Sequence, residues 1–303
     1  MTIKRLCRLG SKRALGTLGA CLVLGMIAAA PAATAASPAA GCQPFVEPCL
    51  LPFPNNLFTK PDATSATGLR VDLPQAAMPS NTNNTQINVA PYDKFDGFSP
   101  GSSIIARVPG LDNQAAFNQT NPVRLEDMSR SFAADAPIVV LDMTTGQRSL
   151  IWAELDSQAG DAQHTTLLIH PGKSLIEGHR YAVAMRNLKD ANGQTLTAPD
   201  WFARLRDDRP LLKGEVSQKE RYGEIFKALK DAGIDRKSLY EAWDFTVASE
   251  KSLTSRMLAI RDDAFSQLGD TNLSDLQVQG NAPQFSVTNV TNFTPTQNSK
   301  LLR

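Results

Sequence analysis

The stretch from Ala136 to Leu196 constrains the fold most, because β-rich runs alternate there with turn signals at roughly ten-residue spacing. "APIVVLDMTTGQRSLIWAEL" holds two such runs around Thr144-Thr145-Gly146, where glycine suits the positive φ of a tight turn. "HTTLLIHP" and "HRYAVAMRNL" follow as strands on either side of "GKSLIEG", and "KDANGQTL" turns back through the hairpin pair Asn192-Gly193. In "HRYAVAMR" the alternation sets Tyr181, Val183 and Met185 on one face and His179 and Ala182 among small or polar positions on the other. This pattern predicts a mainly β fold with helical insertions: an immunoglobulin-like β-sandwich preceded by an irregular N-terminal segment.

Helical periodicity enters later. "SQKERYGEIFKALKDAG" lines Tyr222, Ile225, Phe226 and Leu229 on one stripe, with Ser217 as N-cap, Glu220 at the capping-box position and Gly233 as the stop. "DRKSLYEAW" reads as a second, shorter helix from Asp235, and "WDFTVA" as a strand. In "SLTSRMLAIRDDAFSQLG" the residues Leu253, Met257, Ile260 and Ala264 share a face, and "PQFSVTNVTNFT" reads as a last strand. Upstream, residues 41–90 are rich in Pro, Asn and Thr. Phe53, Leu57 and Phe58 in "PFPNNLF" are apolar enough to dock this irregular segment on a neighbouring core.

The chain opens with a secretory leader. Lys4, Arg5, Arg8, Lys12 and Arg13 precede the apolar run "ALGTLGACLVLGMIAAA", and small residues around Ala33 to Ala36 provide a cleavage site. A lipid anchor on Cys42 in "PAAGC" is a second exit route. The leader carries five of the 31 basic residues and none of the 30 acidic ones, so its removal turns the net charge from +1 to −4. That balance argues against nucleic acid or an anionic membrane surface as the main partner, and the mature chain holds no stable membrane span. Cys7 and Cys21 leave with the leader. Cys42 and Cys49 are then the only mature thiols, and in an oxidising compartment they are expected to pair. The resulting organisation is a signal peptide over 1–36, an irregular segment with short strands over 37–130 and a sandwich over 131–250 with a helical insertion at 217–241. A connector helix and strand occupy 251–303.

Gly97-Phe98-Ser99-Pro100-Gly101 fits G-x-S-x-G, the nucleophile-elbow pattern, and makes Ser99 the one candidate catalytic residue. The chemistry argues against it. An elbow uses the N–H after the serine as an oxyanion donor, a contribution worth about a hundredfold in rate, and Pro100 has none. Neither a buried strand before Ser99 nor a helix after it is legible, so the pattern reads as a turn leading into the strand "SIIARV". His164, His170 and His179 lack a third ligand at metal-site spacing, and Asp190-Ala191-Asn192-Gly193 lacks the alternating oxygens of a calcium loop. Asp262 and Asp263 read as a solvated helix face. No glycine-rich phosphate loop occurs, so no cofactor or metal is expected.

Four stretches together carry a resemblance: "CLLPFPNNLFT", "YDKFDGFSPGSSI", "LLIHPGKSLIEGHRYAVAMRNLKDANGQTL" and "YEAWDFTVASEKSLTSRMLAIRDDAF". In this order they resemble the non-catalytic N-terminal region of bacterial secreted lipase- or esterase-like proteins, where an immunoglobulin-like module precedes an α/β-hydrolase domain. The resemblance implies an α/β-hydrolase domain as partner in cis, reached through the helix after "WDFTVAS". It also implies that the catalytic serine, acid and histidine lie in that domain and map onto no position here. Three functions follow as expectations: an exported, non-catalytic accessory region of a hydrolase, truncated before the catalytic domain; a self-contained serine esterase using Ser99 and one histidine; or a freestanding surface binding or adhesion module.

Overall fold

The computed structural model of the chain describes residue 45 and residues 49–277, 279–281 and 284–292. The leader and Cys42 lie outside them. In chain order the elements are β1 (Thr59–Pro61), β2 (Leu69–Val71), β3 (Ile104–Ala106), α1 (Gln114–Thr120), β4 (Ile138–Asp142), β5 (Ile151–Leu155), β6 (Leu167–Pro171) and β7 (Arg180–Arg186). Then come α2 (Asp200–Arg206), α3 (Lys213–Val216), α4 (Lys219–Asp231), β8 (Leu239–Thr246) and α5 (Glu250–Leu268). Among the described residues the pairing between these strands is antiparallel and falls into a β1-β2 ribbon, a sheet ordered β3-β6-β5 and a sheet ordered β4-β7-β8. The architecture is therefore mixed, with substantial strand content and more helix than a mainly β reading expects.

The β4-β7-β8 sheet is covered on both faces, which explains why its strands read as near-continuous apolar runs. Ile138, Val140, Tyr181, Val183, Met185, Trp243 and Phe245 turn toward the β3-β6-β5 sheet and join Ile104, Ala106, Ile151, Ala153, Leu167 and Ile169 in one core. Val139, Leu141, Ala182, Ala184 and Ala242 turn the other way, against Trp201, Phe202, Tyr222, Ile225, Phe226 and Leu229 of α2 and α4. The three alanines make a low floor, and the aromatic side chains above it fill the depth. By contrast β5 and β6 alternate: Ile151, Ala153, Leu167 and Ile169 are buried, whereas Trp152, Glu154, Leu168 and His170 face outward.

Several local expectations change. Asp142 accepts from the Thr144 N–H at 2.8 Å, and Gly146 takes φ +74°, so the expected turn forms. Yet β4 and β5 belong to different sheets, joined near the turn by a single bridge between Leu141 and Arg148. β6 and β7 likewise belong to different sheets, so both connections cross from one sheet to the other. The helical insertion placed at 217–241 starts earlier, with α2 at Asp200, and ends at Asp231. Residues Leu239–Thr246 form β8 after a short 3-10 turn at Arg236–Ser238, because strand pairing with β7 captures residues whose local preference is helical. Gln218, with no side-chain cap, begins α4 in place of Ser217. The described part of "PQFSVTNVTNFT" contains no strand.

The N-terminal segment is fastened to this body. Phe53 exchanges backbone hydrogen bonds with Ile105 on the free edge of β3, at 2.9 and 2.6 Å, and cis peptide bonds precede Pro52 and Pro54. The indole N–H of the fully buried Trp243 donates to the Pro54 carbonyl at 2.9 Å. Phe58 is buried in the core, with Phe53 and Leu57 packed against it. Asp244, wholly buried, pairs with Arg180 at 2.6 Å and with Arg221, and accepts from Asn56 Nδ2 at 3.0 Å. Arg221 also donates to Asn55 Oδ1 at 2.7 Å, so one buried carboxylate ties β7, β8, α4 and the N-terminal segment together.

Candidate functional site

Gly97 and Phe98 run beside the exit of β8. The Phe98 N–H donates to the Thr246 carbonyl at 2.9 Å and the Ala248 N–H to the Phe98 carbonyl at 2.8 Å. A Cβ on Gly97 would stand 2.6 Å from the Ala248 nitrogen and 2.7 Å from the Thr246 oxygen, so only glycine fits this approach. Ser99 follows, exposed, its Oγ accepting from the Gly101 N–H at 3.3 Å while its carbonyl accepts from Ser102 Oγ at 3.3 Å. The Pro100 carbonyl accepts from the Leu175 N–H at 2.9 Å. Each part of G-F-S-P-G thus has a turn-forming or packing role, and no histidine is paired with Ser99 among the described residues.

The three histidines lie apart. His164 Nδ1 meets Asp161 Oδ1 at 2.7 Å on an exposed turn, and that bond holds the Asp161 carboxyl below its usual range. His179 Nδ1 meets Asp142 Oδ2 at 2.8 Å. Burial pushes the Asp142 carboxyl up, but the bonds from His179 and from the Thr144 and Thr145 N–H groups outweigh it and leave it lowered. No group of three or more metal-ligating side chains occurs among the described residues.

His170 has the neighbours that sequence reasoning missed. Its Nδ1 stands 3.0 Å from Ser103 Oγ and its Nε2 3.2 Å from Glu154 Oε1, and the Trp152 ring stacks on it with centroids 4.0 Å apart. With the proton on Nε2, the imidazole donates to Glu154 and accepts from the Ser103 hydroxyl, the order that activates a serine. The three residues come from β5, β6 and the entry to β3, on the outer face of that sheet. Only the strand register brings them together, so no spacing in the chain announces them.

A broad concave surface lies at the root of α5. Ser249 caps this helix, its Oγ accepting from the Ser252 N–H at 3.1 Å. Asp96, buried, accepts from both the N–H and the Oγ of Ser249, and its own N–H donates to Ser252 Oγ at 3.3 Å. Two grooves meet here. One, of about 240 Å³, is lined by Phe53, Val71, Leu73, Phe98 and neighbouring side chains. The other, of about 590 Å³, is lined by Arg70, Lys94, Lys251, Arg256 and the hydroxyl residues Thr64 and Ser65. Phe95 and Leu253 border both.

Beyond its first turns α5 stands clear of the body: none of its 19 residues is buried, and Met257, Leu258 and Ile260 are exposed at 68%, 41% and 54%. Of the residues that share the face, Leu253 is half-buried, and Met257, Ile260 and Ala264 are exposed. Among the described residues no helix is long and apolar enough to cross a membrane. Cys49 is disulfide-bonded, and Cys42, its expected partner, lies outside the described residues. No protein-family model, curated protein or solved structure matches the chain.

Proposed function

We propose that the chain is an exported, non-catalytic accessory region that presents α5 to an α/β-hydrolase domain joined in cis. The observation that carries this reading is the helix itself. α5 is rigidly rooted by Asp96 and Ser249 yet leaves Met257, Leu258 and Ile260 in solvent, a run of apolar side chains that a folded neighbour would cover. The turn role of Ser99 supports the non-catalytic part. The two three-stranded sheets around one core, with connections that switch between them, support an immunoglobulin-like sandwich carrying a helical layer. A disulfide at Cys49 supports an oxidising compartment, with Cys42 as the proposed partner.

Ser103, His170 and Glu154 favour a second reading, a serine esterase that uses Ser103 in place of Ser99. One experiment separates the two. The purified, leader-free chain is incubated with p-nitrophenyl acetate and butyrate, beside Ser103→Ala and Ser99→Ala. The accessory reading expects hydrolysis at the buffer rate in all three. Turnover abolished by Ser103→Ala would establish the esterase. Reading the coding sequence after the Arg303 codon adds an independent check: a strand-G-x-S-x-G-helix unit there supports the cis partner.

A further inference from the structure

We propose that the two grooves at the root of α5 form one binding site for a single-chain amphiphile with an anionic head, a carboxylate or a phosphate monoester. The inference rests on this surface alone and does not depend on the hydrolase reading.

The wall shared by the grooves carries the argument. Phe95 and Leu253 line both, so an apolar slot opens directly onto a cationic one. The slot is walled by Phe53, Val71, Leu73 and Phe98, with Phe53 and Phe98 packed edge to face at 5.4 Å. Such a surface accepts methylene groups and rejects charge. In the wider groove Lys94, Lys251 and Arg256 have no carboxylate partner among the described residues. Arg70 is held by Asp62 at 2.7 Å. The one carboxylate in the wall, Asp96, is buried with both oxygens engaged by Ser249 at 2.9 and 2.6 Å. The groove therefore presents excess positive charge beside an apolar slot, in a chain whose mature net charge is negative.

That pairing selects the ligand class. A free anion would leave the slot empty, and a neutral chain would leave Lys251 and Arg256 without a counter-charge, with Lys94 held only over the Phe95 ring at 5.7 Å. An aliphatic chain ending in an anion satisfies both halves, its head facing the groove that Lys94, Lys251 and Arg256 line.

The test is calorimetric titration of the leader-free protein, below the critical micelle concentration, with dodecanoate, dodecyl phosphate, dodecanol and inorganic phosphate. One dodecanoate or dodecyl phosphate is expected to bind per chain, at least tenfold more tightly than dodecanol, with no saturable binding of inorganic phosphate. A tighter fit for dodecanoate or for dodecyl phosphate decides between a fatty-acid and a lysophosphatidate-like head. Lys251→Gln with Arg256→Gln, both on the exposed side of α5, should weaken dodecanoate about tenfold while leaving dodecanol unchanged. Leu253→Gln should weaken both. Circular dichroism confirms that each variant is folded. Equal affinity for dodecanoate and dodecanol, phosphate binding as tight as dodecyl phosphate, unchanged dodecanoate binding in the folded double variant, or no binding at all would each overturn the proposal.

Discussion

Asp96 and Ser249 lie 153 residues apart in the chain, and the carboxylate of the first accepts from both the backbone N–H and the hydroxyl of the second. This contact decides where α5 begins and how it leaves the body. The Ser249 Oγ also accepts from the Ser252 N–H, so one hydroxyl caps the helix and holds it down.

Ser249→Ala is expected to cost about 0.5 to 2 kcal/mol, the usual range for an N-cap. The loss should be local: amide exchange in the first turns of α5 accelerates while β4, β7 and β8 keep their protection. Asp96→Ala should cost more, because it leaves both the N–H and the hydroxyl of the half-buried Ser249 without their acceptor. Uniform acceleration across the sheets would show that the anchor is part of the global core.

The residues of G-F-S-P-G should respond in the order that packing dictates and the reverse of what an elbow dictates. Gly97→Ala places a Cβ within 2.6 Å of the Ala248 nitrogen, so the strand exit must shift, and a loss of roughly 2 kcal/mol or more in urea unfolding is expected. Ser99→Ala, at an exposed position, should stay within about 0.5 kcal/mol of the parent. A Ser99→Ala variant less stable than Gly97→Ala would contradict the turn assignment.

Glu241 is buried in β8, where removal from water pushes its carboxyl up to about 8. Below about pH 4.5 the group is protonated in both folded and unfolded chains and has no effect on stability. Between about 4.5 and 8 only the unfolded chain releases the proton, so the unfolded state gains and stability falls as pH rises. The expected fall attributable to this residue is on the order of 3 to 5 kcal/mol across that window. Glu241→Gln should remove it, making the variant progressively more stable than the parent from pH 5 to pH 8, as read by denaturant midpoints. A constant difference across the range would mean that the carboxyl titrates normally.

How far the sequence discloses this molecule differs from element to element. β4 and β7 were legible as strands because Val139, Val140, Ala182 and Val183 leave no polar gap, but their burial on two faces was not, since the alternation in "HRYAVAMR" reads as one apolar face opposite small or polar positions. Their partners were not legible. Gly146 at positive φ is demanded by a tight turn whether the flanking strands pair with each other or separate into two sheets, and only the distant contacts of Ile151 and Leu167 decide which. α2 was missed because seven residues, "DWFARLR", are too few to show a period, although Pro199 and Asp200 mark a helix start. β8 was split between helix and strand because Leu239, Glu241 and Ala242 favour a helix locally, and pairing with β7 overrides that preference. For the candidate sites the limit is sharper. Pro100 was enough to discount Ser99, but His170 meets Ser103 and Glu154 through strand register, and Lys94 comes to line one groove with Lys251 and Arg256 through tertiary packing. Neither relation leaves a spacing to read.

The buried centre of the N-terminal attachment is Asp244, and its removal should be the most damaging single polar change in the protein. Arg180 and Arg221 both lean on it, with side-chain exposures of 30% and 18% against 0% for the carboxylate. Asp244→Asn keeps the shape but leaves two guanidinium groups facing a neutral amide, and breaking a buried pair from one side costs about 3 to 5 kcal/mol. Arg180 retains Glu224 and Arg221 retains Asn55 and Gln218, so the lower end of that range is expected. Because Asn56 also donates to Asp244, the same variant should loosen the segment before β1 and expose it to proteolysis ahead of the sheets. Replacing Arg180 by Met should cost less, since Arg221 continues to neutralise the carboxylate. If Arg180→Met proves the more damaging of the two, the attachment depends on the packing of the arginine stem and not on the buried charge.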